Sequence, residues 1–310
     1  MTDSNFAKSV ALIALLLPSG AALGIAPAAA DGYVQLPGGV QIHKSCIFSV
    51  PNGGSVDSAG NVSNADGAFL LQAPQCAYPR RNTRNPSQNP PLPGINGWLE
   101  YAEVFASGSD YFDELYGEWY VPTLPTAQDG QTIYLFNSIQ DYTTYTIIQP
   151  VLQYFGGSDG WQMQDYIVIG DTAYTGDAVS VNADDEIYGV QWLQESNEWT
   201  IKWQDVTGGT SWWINYTDLS GDYAPAYWQV ANPGVLEVYG VNYCDDLPAS
   251  SPVEFYDVGI FEGPNWNSYN QVDTVGSDWG LEIASDPSPS CSYSVSASPS
   301  YPWVDLSWSN

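Results

Sequence analysis

Downstream of Asn96, apolar residues occur in short runs or alternate with polar ones, and each run is bounded by Gly, Pro, Asn or Asp. A period of two over a few residues is the mark of a strand that buries one face. The pattern predicts strands over 117–121, 132–136, 146–155, 161–168, 177–182, 186–192, 198–205, 210–216, 227–230, 234–241 and 255–261. Thr200 to Asp205, followed by Thr207-Gly208-Gly209-Thr210 and Ser211-Trp212-Trp213, reads as a hairpin whose Gly-Gly turn region a helix would not tolerate. No internal repeat is evident, which disfavours a propeller. With 22 Tyr, 13 Trp, 29 Gly and 22 Pro against two Met, the chain has the residues of strands and turns rather than of helices. The expected class is an all-β antiparallel sandwich or barrel.

The amino terminus breaks the pattern. Lys8 precedes an apolar stretch from Val10 to Leu23, and small residues follow to Ala28-Ala29-Ala30, so residues 1–30 read as a secretion signal. Pro18, Ser19 and Gly20 interrupt that stretch, and it is short for a membrane span of about 20 residues. A secreted location permits disulfides. The four cysteines fall as Cys46 and Cys76 early and Cys244 and Cys291 late; pairing within each half is the simplest of three connectivities.

The formal net charge of −29 changes the picture further. Asp plus Glu number 35 of 310, an ordinary share, whereas Lys plus Arg number only six, so the anomaly is a shortage of bases. Such a chain gains little positive charge when its carboxylates protonate and escapes the self-repulsion that unfolds ordinary proteins in acid. Acid tolerance is the expectation, with a solubilising acidic surface in a neutral medium as its alternative. Nucleic acid is excluded as a partner, because phosphate binding needs Lys and Arg clusters.

Five of the six bases, Lys8, Lys44, Arg80, Arg81 and Arg84, precede residue 95, and only Lys202 follows it. From Pro79 through Gly94 runs a polar, Pro-rich stretch without periodicity, which reads as a linker. The expected organisation is a signal at 1–30, a pro-segment or small module at 31–94, a sandwich at 95–265 and an extension at 266–310. Each side of the linker keeps an even number of cysteines, so cutting it would strand no thiol. A pro-segment would dock by opposite charge and leave when the carboxylates protonate; a permanently attached β module is the alternative.

The chemistry open to such a chain is narrow. Its only histidine, His43, lies in the amino-terminal segment, which removes Ser-His-Asp and Cys-His sites from the main domain, and Lys202 alone makes a Ser-Lys site a poor prospect. There is no H-E-x-x-H and no C-x-x-C, so no zinc site of either kind is expected. Carboxylates helped by amides and phenols remain, and a Glu near its ordinary pKa of about 4.3 suits acid–base work in acid. Asp184-Asp185-Glu186 reads as a solvated turn rather than a calcium site, and Asn61 and Asn215 open N-x-S/T sequons.

Gly117-Glu118-Trp119-Tyr120-Val121-Pro122-Thr123-Leu124-Pro125 resembles the G-x-F-x-V-P-x-P opening of the eqolisin glutamic peptidases, and Asn96-Gly97-Trp98 resembles their N-W-A-G segment. Phe136 to Asp141 leading to Ile147-Ile148-Gln149-Pro150-Val151 is similar to their W-V-G-I-D and I-L-Q-T-G-V sequences. Val235-Leu236-Glu237-Val238-Tyr239 is similar to A-E-W-I-V, and Leu247-Pro248 with Phe255 to Gly259 to V-P-F-A-D-F-G. Gly170-Asp171 and the turn from Asp205 to Gly209 resemble the family's A-G-D and N-x-T-T-G. The resemblance covers residues 96–265 in order. It implies a concanavalin-like jelly-roll sandwich with a cleft on its concave face, Gln149 and Glu237 as the catalytic pair on neighbouring strands, and Trp98, Gln140, Asp141 and Gln153 lining the cleft. It implies a monomer that hydrolyses protein or peptide substrates without a cofactor or metal, away from membranes once the signal is gone. Three positions depart from the family: Gln140 and Gln153 stand where Asp is usual, and Val238 where Trp is usual.

Alternatives from other classes stay open. Gln149 could be a strand glutamine satisfied by cross-strand hydrogen bonds, and Glu237 could face solvent on a half-buried strand. The chain could then be a carbohydrate-binding sandwich with an aromatic stacking platform, an inactive eqolisin-like homologue, or a glycoside hydrolase with a second acid about 5 to 10 Å from Glu237.

Overall fold

The computed structural model describes residues 24–26, 28–82, 95–106, 111–141, 144, 146–157, 160–194, 197–219, 224, 228–262, 270–271, 279–284, 287–298 and 302–310. The expected signal up to residue 23, and the linker from residue 83 to 94, lie outside them.

The amino-terminal strands are β1 (Tyr33–Leu36), β2 (Val40–His43), β3 (Ile47–Ser49), β4 (Ser55–Asp57), β5 (Asn61–Ser63), β6 (Phe69–Gln72) and β7 (Arg81–Asn82). The central ones are β8 (Ile95–Phe105), β9 (Phe112–Tyr120), β10 (Thr132–Asp141), β11 (Thr146–Phe155), β12 (Trp161–Ile169), β13 (Thr172–Thr175), β14 (Val179–Val181), β15 (Glu186–Gln194), β16 (Glu198–Asp205), β17 (Thr210–Thr217), β18 (Val230–Val241) and β19 (Val253–Glu262). The last are β20 (Asn270–Gln271), β21 (Gly280–Ile283), β22 (Ser294–Ala297) and β23 (Val304–Ser307).

Two sheets dominate, in the order β21-β8-β18-β10-β11-β12-β13-β3 and β22-β23-β19-β9-β15-β16-β17-β4-β5-β6. Almost every pairing is antiparallel, so the molecule is the all-β sandwich that the periodicity predicts. The predicted hairpin is present, with Asp205 opposite Thr210. Strands β11 and β16 have the predicted boundaries. Of the segment predicted at 227–230 only Val230 is in a strand, where it opens β18 and runs on through the predicted 234–241, because Asn232-Pro233-Gly234 is absorbed as a bulge with a register shift between Ala231 and Gly234 rather than as a turn.

The chain closes one edge of the sandwich by changing sheets. Strand β3 adds in parallel to β13, and β4 adds in parallel to β17 of the other sheet, with Val50 buried between them. Val50, Val56 and Val62 join the core between the sheets, as do Cys291, Val304, Leu306 and Trp308 from the carboxy-terminal end. Residues on both sides of the expected boundaries therefore share the two sheets. Disulfides Cys46–Cys76 and Cys244–Cys291 connect as the simplest pairing requires.

A second core lies outside the sandwich, on the far face of the first sheet. There β1 and β2, paired to each other and to β7 in a separate small sheet, press Val34, Leu36, Val40 and Ile42 against Tyr134, Phe136, Val151, Tyr166, Val168 and Val235. Complete burial of aliphatic side chains of this size stabilises by about 1.5–3 kcal/mol each. The ion pair between Arg81 Nη1 and Asp31 Oδ2, 2.6 Å, lies within the amino-terminal segment and is half-exposed.

Candidate functional site

Alternation along β18 sends Leu236 and Val238 into the core between the sheets and turns Val235, Glu237 and Tyr239 to the opposite face. Register then builds a row across four strands: Trp98 on β8 faces Glu237, Glu237 faces Tyr134 on β10, and Tyr134 faces Gln153 on β11. Gln149 lies four residues, two repeats of the strand, before Gln153 on β11, on the face it shares with Ile147 and Val151. Next to it Pro150 has no N–H to give, and the β10–β11 ladder is interrupted between Phe136↔Val151 and Ile139↔Ile148.

Glu237 is fully buried. Its carboxylate accepts hydrogen bonds from the backbone N–H groups of Gly38, at 2.7 Å to Oε2, and Gly39, at 2.9 Å to Oε1, and from the Tyr239 hydroxyl. Gln149 is also fully buried, and neither atom of its amide has a hydrogen-bond partner among the described residues. The same Gly38 lies beside it: a Cβ added there would stand 3.5 Å from Gln149 Nε2 and 3.1 Å from Ile147 Cγ2. One residue, on the Pro37-Gly38-Gly39 loop between β1 and β2, is thus bonded to one member of the expected pair and lies beside the other. The loop needs glycine, because Gly38 and Gly39 have φ of +93° and +72°. Tyr134, buried, fixes the loop's approach by donating its hydroxyl to the Gln35 carbonyl at 3.0 Å.

The remaining expected residues divide. Trp98 borders Glu237 and packs edge-on against Tyr101 and Phe136, with ring centroids 5.0 and 5.8 Å away. Gln153 belongs to a closed network: it donates to Gln164 Oε1 at 2.9 Å and to the Gly24 carbonyl, and accepts from the Tyr166 hydroxyl at 2.6 Å. Gly24 and the buried Ala26 belong to the expected signal, so cleavage after Ala30 would remove these contacts. Gln140 and Asp141 are not brought to Glu237; they end β10, about 20 Å along the strand from Tyr134 at roughly 3.3 Å per residue. There Gln140 donates to Asn232 Oδ1, and buried Asp141 accepts from the Thr144 hydroxyl at 2.5 Å.

Two other buried carboxyls point away from the pair. Burial pushes Glu100 up to about 8, and it faces the β22–β23 hairpin. Burial holds Asp165, opposite Pro150 and between the sheets, well above the usual carboxylate range. Both carboxyls lack hydrogen-bond partners among the described residues. Sequence reasoning missed Gly38, Gly39, Tyr134 and Tyr239. Tyr239 is legible as the residue two after Glu237 on a strand; Val34-Gln35-Leu36 and Val40-Gln41-Ile42 about Pro-Gly-Gly spell a hairpin, but no local signal says where it docks.

No protein-family model and no curated protein matches this sequence. Among solved structures the chain is similar to Scytalido-glutamic peptidase bound to a peptide-based transition state analog, at 14% identity over 69% of this chain and 98% of that one, with a TM-score of 0.50. Two further similar structures are SCP-B, a member of the Eqolisin family of peptidases, in complex with the tripeptide Ala-Ile-His (13% identity, 69% and 98% coverage, TM-score 0.48), and aspergilloglutamic peptidase from Aspergillus niger (16%, 57% and 98%, 0.36). At these identities the first likeness is one of fold: the chain has the β-sandwich architecture of a glutamic peptidase.

Proposed function

We propose that this chain is a secreted endopeptidase that works in acid, with Glu237 and Gln149 activating water for attack on a peptide bond. The observation that carries the reading is that Gly38 bonds Glu237 and lies beside Gln149 on the same face of the sheet, with Gln149's amide unused. An unpaired buried amide costs about 1–3 kcal/mol, which a purely structural strand position has no reason to bear. The sandwich fold shared with Scytalido-glutamic peptidase agrees with it. In this reading a substrate backbone takes the place where Gly38 lies. Glu237 as carboxylate removes a proton from water and returns it to the leaving amine, while Gln149 Nε2 donates to the oxyanion that develops on the carbonyl. No cofactor enters these steps.

Digestion of a denatured protein at about pH 3 to 4, where a Glu is poised between its two forms, tests the assignment. Glu237→Gln abolishes cleavage, and Gln149→Ala lowers the rate by about 10²–10³, the usual cost of an oxyanion donor. Cleavage that survives both substitutions rejects the pair.

A further inference from the structure

The hairpin β1–β2 covers the face of the first sheet that carries Gln149 and Glu237 while making no strand pairing with either large sheet among the described residues. Its hold on the sandwich includes the two glycine N–H groups on Glu237, the Gln35 carbonyl under Tyr134, and the buried side chains of Val34, Leu36, Val40 and Ile42. The segment that follows is attached differently: β3 and β4 are hydrogen-bonded into the two large sheets, and Val50, Val56 and Val62 are part of the core between them. Between these regions lies the short helical turn Lys44–Cys46, whose Cys46 is tied to Cys76.

We infer that the Tyr33–His43 hairpin is a built-in blocker of the cleft and is the releasable unit by itself, with residues 47–72 remaining in the sandwich when it leaves. The inference rests on the peptidase reading for what is blocked. The hairpin is an inert occupant for a chemical reason. It offers Glu237 two N–H donors, and those bonds engage both carboxylate oxygens on amides instead of on a water aimed at a carbonyl carbon. Gly38 and Gly39, without side chains, let the backbone come this close.

The test uses the full chain and two variants that loosen the hairpin while the Gln149 and Glu237 side chains themselves are kept; Gly38→Val also borders Gln149, and Leu36→Ala serves as the control on the hairpin's other contacts. Gly38→Val puts a branched side chain at positive φ against Ile147, and Leu36→Ala removes buried apolar contact. The probe is a fluorescein-labelled decapeptide with reduced, non-hydrolysable peptide bonds, followed by fluorescence anisotropy. A cleft occupied most of the time lowers apparent affinity by the free fraction, so probe binding tightens by at least about tenfold in each variant that retains a cooperative melt. A synthetic peptide spanning residues 33–43 then displaces the probe. Unchanged probe affinity in both variants, or failure of that peptide to compete, overturns the inference. Tighter binding without any cleavage of a denatured protein leaves the blocker standing and rejects the catalytic reading instead.

Discussion

At the scale of single residues, Gln149 and Gln153 form a contrast on one strand. Both are buried, yet Gln153 spends its amide on Gln164, Tyr166 and Gly24, while Gln149 spends nothing among the described residues. Replacing each by Leu separates the two roles. Gln149→Leu removes an unsatisfied amide and keeps the volume, so stability holds or rises by up to about 1–3 kcal/mol while peptide cleavage is lost. Gln153→Leu strands Gln164 and Tyr166 and costs about as much in the other direction. Urea midpoints measured beside the digestion rate check both, and a Gln149→Leu protein that is strongly destabilised argues for a structural amide. The same network gives a physical sense to a departure from the eqolisin pattern: a Gln at 153 can donate to one neighbour and accept from another, which an ionised Asp cannot.

At the scale of elements, the amino-terminal segment divides at the Cys46–Cys76 bridge into a docked hairpin and strands that complete the sheets. The bridge closes a loop with a sequence separation of 30. A loop of that size constrains the unfolded chain by about 3–4 kcal/mol in the chain-entropy view. The double variant Cys46→Ser with Cys76→Ser is therefore expected to lose stability of that order in urea unfolding, with hydrogen exchange rising first in β1 and β2, which lack ladder bonds to the large sheets. Uniform protection across the segment after removal of the bridge contradicts the division.

At the scale of the whole molecule, the shortage of bases and the buried carboxyls act together. Glu100 sits at about 8 in the folded chain against an ordinary 4.5, because burial disfavours its charged form. The backbone N–H groups of Ser294 and Ser307 approach it without hydrogen-bond geometry and offset only part of that rise. The folded state thus holds this proton more tightly than the unfolded state. Stability is complete below about pH 4.5 and falls as pH rises towards about 8, by an upper limit on the order of 4–5 kcal/mol. Asp113, raised to about 6 by burial and then by the neighbouring Glu114, works in the same direction over a lower window. Thermal midpoints followed from pH 3 to pH 9 are expected to be highest in acid, and Glu100→Gln flattens the fall between about 4.5 and 8. A profile that climbs with pH refutes this account.

Sequence by itself determined the strand-rich class and the hairpin at Thr207–Thr210, since these follow from period and turn chemistry, and the simplest of the three cysteine connectivities it allowed is the one the structure has. It also put Gln149 and Glu237 on strands, through short motifs that mark local structure. What period two cannot say is which faces of distant strands meet, and that was decided by the fold: register aligned Glu237 with Tyr134 and Gln153, left Gln140 and Asp141 at the far end of β10, and delivered Gly38 from almost two hundred positions away. The physical reason is that burial and ladder pairing are satisfied globally. A loop of three residues has no local preference for one carboxylate over another until the side chains of its two strands have found the apolar face that lies beneath them.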